Sequence, residues 1–164
     1  MKTKSNNKGI TILELMITVV ILGITSTLAF PQFERTMDKL RLKSAGRDIV
    51  STLRLARSDA VSRRQQFGVY FDLYSRQCIL FKDLANLTAF TYDAGSDSDM
   101  VTTTLPSHVN FGSTSFPNYA VIFKPDGSAS NSGSIGLQSS GGSYGTFTVD
   151  VLSSTGRVKL IFGS

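Results

Sequence analysis

The stretch Ile10–Phe30, ITILELMITVVILGITSTLAF, constrains this chain more than any other. As a helix it would be about 31 Å long, close to the ~30 Å hydrocarbon thickness of a bilayer. Its one charged residue is Glu14, and no Lys, Arg or His lies within the run. A carboxylate inside a membrane helix costs roughly 2.5–3.5 kcal/mol on insertion scales, so a partner is expected, and that partner is not local. A cut between Gly9 and Ile10 would create an α-amino group, with a pKa of about 7.7–8.0, at the head of the same helix. That cation could pair with Glu14 of a neighbouring chain. An ordinary secretory signal has an apolar core of about 7–15 residues, shorter than this one. A plain membrane anchor needs neither Gly9 nor Glu14.

Lys8-Gly9 followed by Ile10-Thr11-Ile12-Leu13-Glu14, the apolar run and Pro31 resembles the leader junction of type IV pilins and type II secretion pseudopilins. The resemblance implies that a prepilin peptidase cuts after Gly9 and methylates the new N-terminus at Ile10, where pilins usually carry Phe. It implies that Glu14, five residues into the mature chain, guides assembly. Further on, Leu53-Arg54-Leu55-Ala56-Arg57-Ser58-Asp59-Ala60 resembles the helix end of the GspH/FimT branch, the minor pseudopilins. The segment Gly23–Pro31 is the weakest part of the helix, because Gly, Thr, Ser and Pro are poor helix formers. By resemblance it is helical in the monomer and can melt in the filament.

The 164 residues are enough for one domain with a real core beyond the apolar run. Three of the cations behind the net charge of +5, Lys2, Lys4 and Lys8, precede the run; without them the charge is +2. The basic balance therefore says little about the domain. The single cysteine, Cys78, excludes an internal disulfide. Arg35, Lys39, Arg41, Lys43 and Arg47 follow the run, so counting cations does not favour an inside N-terminus. That orientation rests on the resemblance.

From Phe33 the apolar residues Phe33, Met37, Leu40, Ala45, Ile49, Leu53, Ala56 and Ala60 recur mostly three or four apart, one stripe of an amphipathic helix. Arg63 and Arg64 close it, where cations suit the dipole. After Gln66 the period becomes two. Phe67–Phe71 and Cys78–Lys82 read as a hairpin, and Asp93–Asp99 as a loop. Met100–Thr104, Val109–Phe111, Ala120–Lys124 and Ile135–Leu137 read as short strands, with a Pro125-Asp126-Gly127 turn. Thr146–Leu152 and Arg157–Phe162 read as a last hairpin. The predicted class is α+β: a long N-terminal helix whose second half packs on antiparallel β-sheet. The predicted divisions are a leader 1–9, a transmembrane and assembly helix 10–30, its amphipathic continuation 31–66 and a β-rich domain 67–164.

Other motifs point more weakly. Gly141-Gly142-Ser143-Tyr144-Gly145 matches G-x-S-x-G, but a strand follows it and the only histidine, His108, lies upstream, so a flexible turn is expected. No Cys/His cluster makes a zinc site. Asp93, Asp97 and Asp99 offer oxygens for calcium without the spacing of a calcium loop, and a solvated loop is expected. On a strand, Arg157 and Lys159 share one face while Val158, Leu160 and Phe162 share the other, a core face. Some FimT-type minor pilins bind DNA through Gly-Arg-x-Arg; here Gly156 and Arg157 match, and Lys159 replaces the second Arg without its bidentate fork.

The expectation is a minor pseudopilin that is not an enzyme and needs no cofactor or metal. Its partners would be prepilin peptidase, the inner membrane and other pilins. It would cross the bacterial inner membrane once, N-terminus cytoplasmic and domain periplasmic, then enter a secretion pseudopilus or a pilus. The alternatives are a DNA-binding minor pilin acting through Arg157 and Lys159, and an unprocessed membrane-anchored β-domain.

Overall fold

The computed structural model describes residues 9–140 and 146–163, with Leu28 described by its backbone alone. Residues 1–8 of the predicted leader 1–9 and the G-x-S-x-G run at 141–145 lie outside the described residues. The element order is α1 (Ile12–Arg63), β1 (Phe67–Asp72), β2 (Gln77–Lys82), β3 (Ser98–Thr104), β4 (Val109–Thr114), β5 (Ala120–Phe123), β6 (Gly133–Ser139), β7 (Thr146–Leu152) and β8 (Arg157–Phe162). A 3-10 turn, Pro117–Tyr119, precedes β5. The chain separates into two units, Met1–Met37 and Asp38–Ser164.

In the first unit α1 presents its apolar side chains to the outside: Leu13, Ile17, Val20, Ile24 and Phe30 are all exposed. Its hydroxyl residues fold back on the helix. Thr18 donates to the Glu14 carbonyl at 2.8 Å, Thr25 to Ile21 at 3.0 Å and Ser26 to Leu22 at 2.7 Å. Each hydroxyl is thereby satisfied without water, which an apolar surround requires. The helix runs on through Pro31.

In the second unit, α1 buries Leu42, Ala45, Ile49, Leu53, Ala56 and Ala60 completely. The buried stripe begins at Leu42 rather than Phe33: Phe33 and Leu40 are exposed and Met37 is half-buried. At Gly46 a Cβ would stand 2.9 Å from a Leu160 methyl, so glycine lets the helix approach β8. The helix ends where Arg64 takes a left-handed φ of 53°.

Among the described residues the strands form two four-stranded antiparallel sheets, ordered β3-β2-β1-β5 and β4-β6-β7-β8. Alternation assigns the faces. Phe67, Val69, Phe71, Cys78, Leu80, Val121 and Phe123 of the first sheet join Val109, Phe111, Ile135, Leu137, Val149 and Val151 of the second in one core with α1. The other face of the first sheet is covered too. Residues 83–97 cross it, and Tyr92 stacks on Tyr70 with centroids 4.6 Å apart and tilts on Phe81 at 4.9 Å. The predicted strands are all present. The predicted Asp93–Asp99 loop is shorter, because Ser98 and Asp99 pair with Lys82 and Phe81 in β3. The β7 and β8 limits coincide with the predicted hairpin.

Candidate assembly and surface sites

The N-terminal junction is built by one cap. The Thr11 hydroxyl accepts from the Glu14 backbone N–H at 3.2 Å, and Leu15 N–H donates to the Thr11 carbonyl at 3.1 Å. Threonine followed three residues later by Glu is the sequence form of a capping box, and it starts the helix at Ile12 rather than Ile10. Glu14 thus stands in the first turn, where a negative charge suits the helix dipole. Gly9 and Ile10 precede the cap and are exposed.

A second arrangement joins three segments far apart in sequence. Arg57 Nε donates to the Gly127 carbonyl at 3.0 Å. Gly127, φ +82°, ends the Pro125-Asp126-Gly127 turn, whose Asp126 carboxylate accepts from both the Ser128 backbone N–H at 2.8 Å and the Ser128 hydroxyl at 2.6 Å. Gly156, φ +58°, closes the β7–β8 turn against the same pair: a Cβ there would run into the Gly127 oxygen and stand 2.9 Å from Arg57 Nε. The Gly-Arg signal read at 156–157 therefore has a packing reason at its glycine. The signals for this junction were the Arg in the 53–60 helix end and the two turn glycines, and nothing in the sequence tied them together.

Arg157 and Lys159 are exposed on one face of β8, as predicted. They border a groove of about 470 Å³ with Ser115, Ser134, Asp150 and Leu152. Lys159 is paired in register with Asp150 of β7, so a carboxylate stands beside the two cations. Of the predicted core face, Val158 is buried and Leu160 half-buried. Phe162 is exposed: it lies at the strand end, edge-on to Phe147 with centroids 5.0 Å apart, and Lys43 Nζ sits 5.9 Å from its ring centroid.

Asp97 is committed to the backbone. Its Oδ1 accepts from Leu84 and Ala85 N–H at 2.9 and 3.2 Å, and its Oδ2 from Asp93 N–H at 2.8 Å. Asp99 accepts from the Tyr92 hydroxyl at 3.0 Å. Among the described residues no three His, Cys, Asp or Glu side chains gather as metal ligands. His108 is exposed, and its carbonyl accepts from Ser140 N–H at 3.0 Å. Burial pushes the Cys78 thiol up to about 12, which leaves it unreactive.

Comparison with known families decides the identity. Residues 45–156 match the family described as type II transport protein GspH, and residues 4–30 match the prokaryotic N-terminal methylation motif. The chain belongs to the GspH family. The GspH match spans all three segments of the Arg57–Gly127–Gly156 junction. No curated protein sequence matches significantly. Among solved structures, the minor pseudopilin EpsH from the type 2 secretion system of Vibrio cholerae superposes with a TM-score of 0.60 at 15% identity, covering 74% of this chain and 97% of that one. The type IV minor pilin FimU of Pseudomonas aeruginosa gives 0.60 at 17% identity, covering 77% and 92%. At these identities the likeness is one of fold, and it makes this GspH-family chain type IV pilin-like.

Proposed function

We propose that this GspH-family chain is a minor pseudopilin or pilin subunit, processed after Gly9 and methylated at Ile10. The observation that carries the reading is the joining of a methylation motif over residues 4–30 to a GspH domain over 45–156. The α1 helix is long and apolar enough to cross a membrane. Residues 1–9 act as a removable leader, 10–30 as the membrane and assembly segment, 31–66 as its continuation and 67–164 as the β-rich part of the domain. The chain sits in the inner membrane with the domain in the periplasm, and its role is structural rather than catalytic. Prepilin peptidase acts on it first, and other pilin-like subunits then take it into a type II secretion pseudopilus or a type IV pilus.

Assembly follows from charge. The Ile10 amine created by cleavage is a cation in an apolar setting, and Glu14 of a neighbour neutralises it. Glu14→Val removes the carboxylate, so membrane insertion should be as good as wild type or better. Co-purification with other pilin-like subunits should nevertheless fall to background. Equal recovery of the two forms would remove Glu14 from assembly.

A further inference from the structure

Asp83 is the one charged side chain in the described core without a hydrogen-bond partner. Its residue is 2% exposed, and neither carboxylate oxygen completes a hydrogen bond: the Asn86 backbone N–H acts on the carboxylate but lies outside hydrogen-bond geometry. The Gln66 side-chain Oε1 is a second buried acceptor with none. The two are neighbours. Asp83 N–H donates to the Gln66 carbonyl at 3.1 Å, one step past the Phe67↔Lys82 pair of the β1–β2 ladder. Their side chains therefore project from the same face of the first sheet, the face crossed by residues 83–97. Two buried acceptors side by side are costly, and one hydrogen atom between them would satisfy both.

We propose that Asp83 is a proton site, a single proton held between its carboxylate and the Gln66 side-chain carbonyl, and that this proton latches residues 84–97 onto β1 and β2. The protonated carboxyl donates its O–H to Gln66 Oε1. On deprotonation the proton leaves to solvent, and a carboxylate remains facing an acceptor.

The surrounding charges fit. Burial is the main influence on Asp83, followed by the Asp97 and Asp93 carboxylates; the Asn86 backbone N–H opposes them weakly, and the carboxyl is raised from 3.8 to about 6. Arg64 and Lys82 line the same cavity of about 290 Å³ as Asp83 and Gln66, without an ion pair to Asp83. Asp97 is the other half of the latch, through its bonds to Leu84, Ala85 and Asp93 N–H. The closed loop binds the proton more tightly than the opened loop, where Asp83 is solvated and ordinary. Closure is therefore favoured in acid and weakens as pH rises from about 4 through 6. Opening would lift Tyr92 away and uncover the aromatic face formed by Tyr70 and Phe81.

Amide hydrogen exchange on the full chain in detergent micelles tests this, with rates corrected for the intrinsic effect of pH. The opening constant of residues 84–97 should rise about 25-fold between pH 4.5 and 7, while β7 and β8 amides keep theirs. In Asp83→Asn the side-chain amide donates permanently to Gln66, so opening should be low and independent of pH. Gln66→Ala removes the acceptor and should move the wild-type midpoint to lower pH. Opening that ignores pH in the wild type would overturn the proposal. So would an Asp83→Asn loop looser than wild type at pH 7. A Gln66→Ala midpoint that moves up would show the glutamine donating to an ionised Asp83, and would overturn it equally.

Discussion

Gly156→Ala should be the most damaging glycine-to-alanine change among the described residues. At φ +58° a side chain costs about 1–2 kcal/mol in backbone strain. The added Cβ is aimed at the Gly127 carbonyl oxygen and lies 2.9 Å from Arg57 Nε, so backbone must move, at about 1–3 kcal/mol. Moving it breaks the 3.0 Å bond from Arg57 to Gly127, worth about 1 kcal/mol. The total is about 3–6 kcal/mol, against roughly 5–15 kcal/mol for a whole domain. The unit Asp38–Ser164 holds every described buried hydrophobic residue, from Leu42 to Val158, so its melting can be followed alone. At about 3–5 °C per kcal/mol for its size, Tm should drop by roughly 10–25 °C by circular dichroism. Arg157→Ala, next door but exposed, is the control and should stay within about 2 °C. A drop of under about 3 °C for Gly156→Ala, or an equal drop for both, would refute the packing account of this glycine.

Ile49→Ala removes a fully buried side chain of the common core and should cost about 2–5 kcal/mol in chemical denaturation of the same unit, with an unchanged m-value. Arg57→Ala should cost about 1–2 kcal/mol in the same assay, because the Gly127 oxygen loses a charged donor. Replacing Arg157 and Lys159 together by Ala should leave stability untouched. With Asp150 paired to Lys159, DNA binding by the wild type should be weak and gone by about 0.15 M salt; retention at that salt, lost in the double variant, would favour DNA recognition instead.

Strand limits were legible because alternation is local. Phe67, Val69 and Phe71 announce β1, and the turn residues at 153–156 set off β7 and β8. The start of the buried stripe was not legible. Phe33 and Leu40 continue the helical period, but whether a residue on that period is covered depends on where the sheets lie, and burial begins at Leu42. The division into two sheets was hidden for the same reason: β5 pairs with β1 across some 50 residues, while β4 pairs with β6. At the N-terminus, Glu14 stands out by chemistry, since a carboxylate in an apolar run demands a reason, whereas Gly9 and Ile10 are singled out by the resemblance to the pilin leader junction. Thr11 belongs to the same motif, and its spacing to Glu14 is a capping signal that the structure realises as the cap of α1. Arg57, Gly127 and Gly156 meet only in three dimensions, as do Asp83 and Gln66.

The central claim is that the chain is made as a precursor and trimmed to a methylated subunit. Intact-mass measurement of protein extracted from membranes of cells with an active prepilin peptidase tests it most directly. The account predicts a chain that begins at Ile10, heavier by one methyl group than the bare residues 10–164, and accumulation of precursor when Gly9 is replaced by a bulky residue. A chain that still carries residues 1–9 in such cells would contradict it and leave a membrane-anchored β-domain in its place.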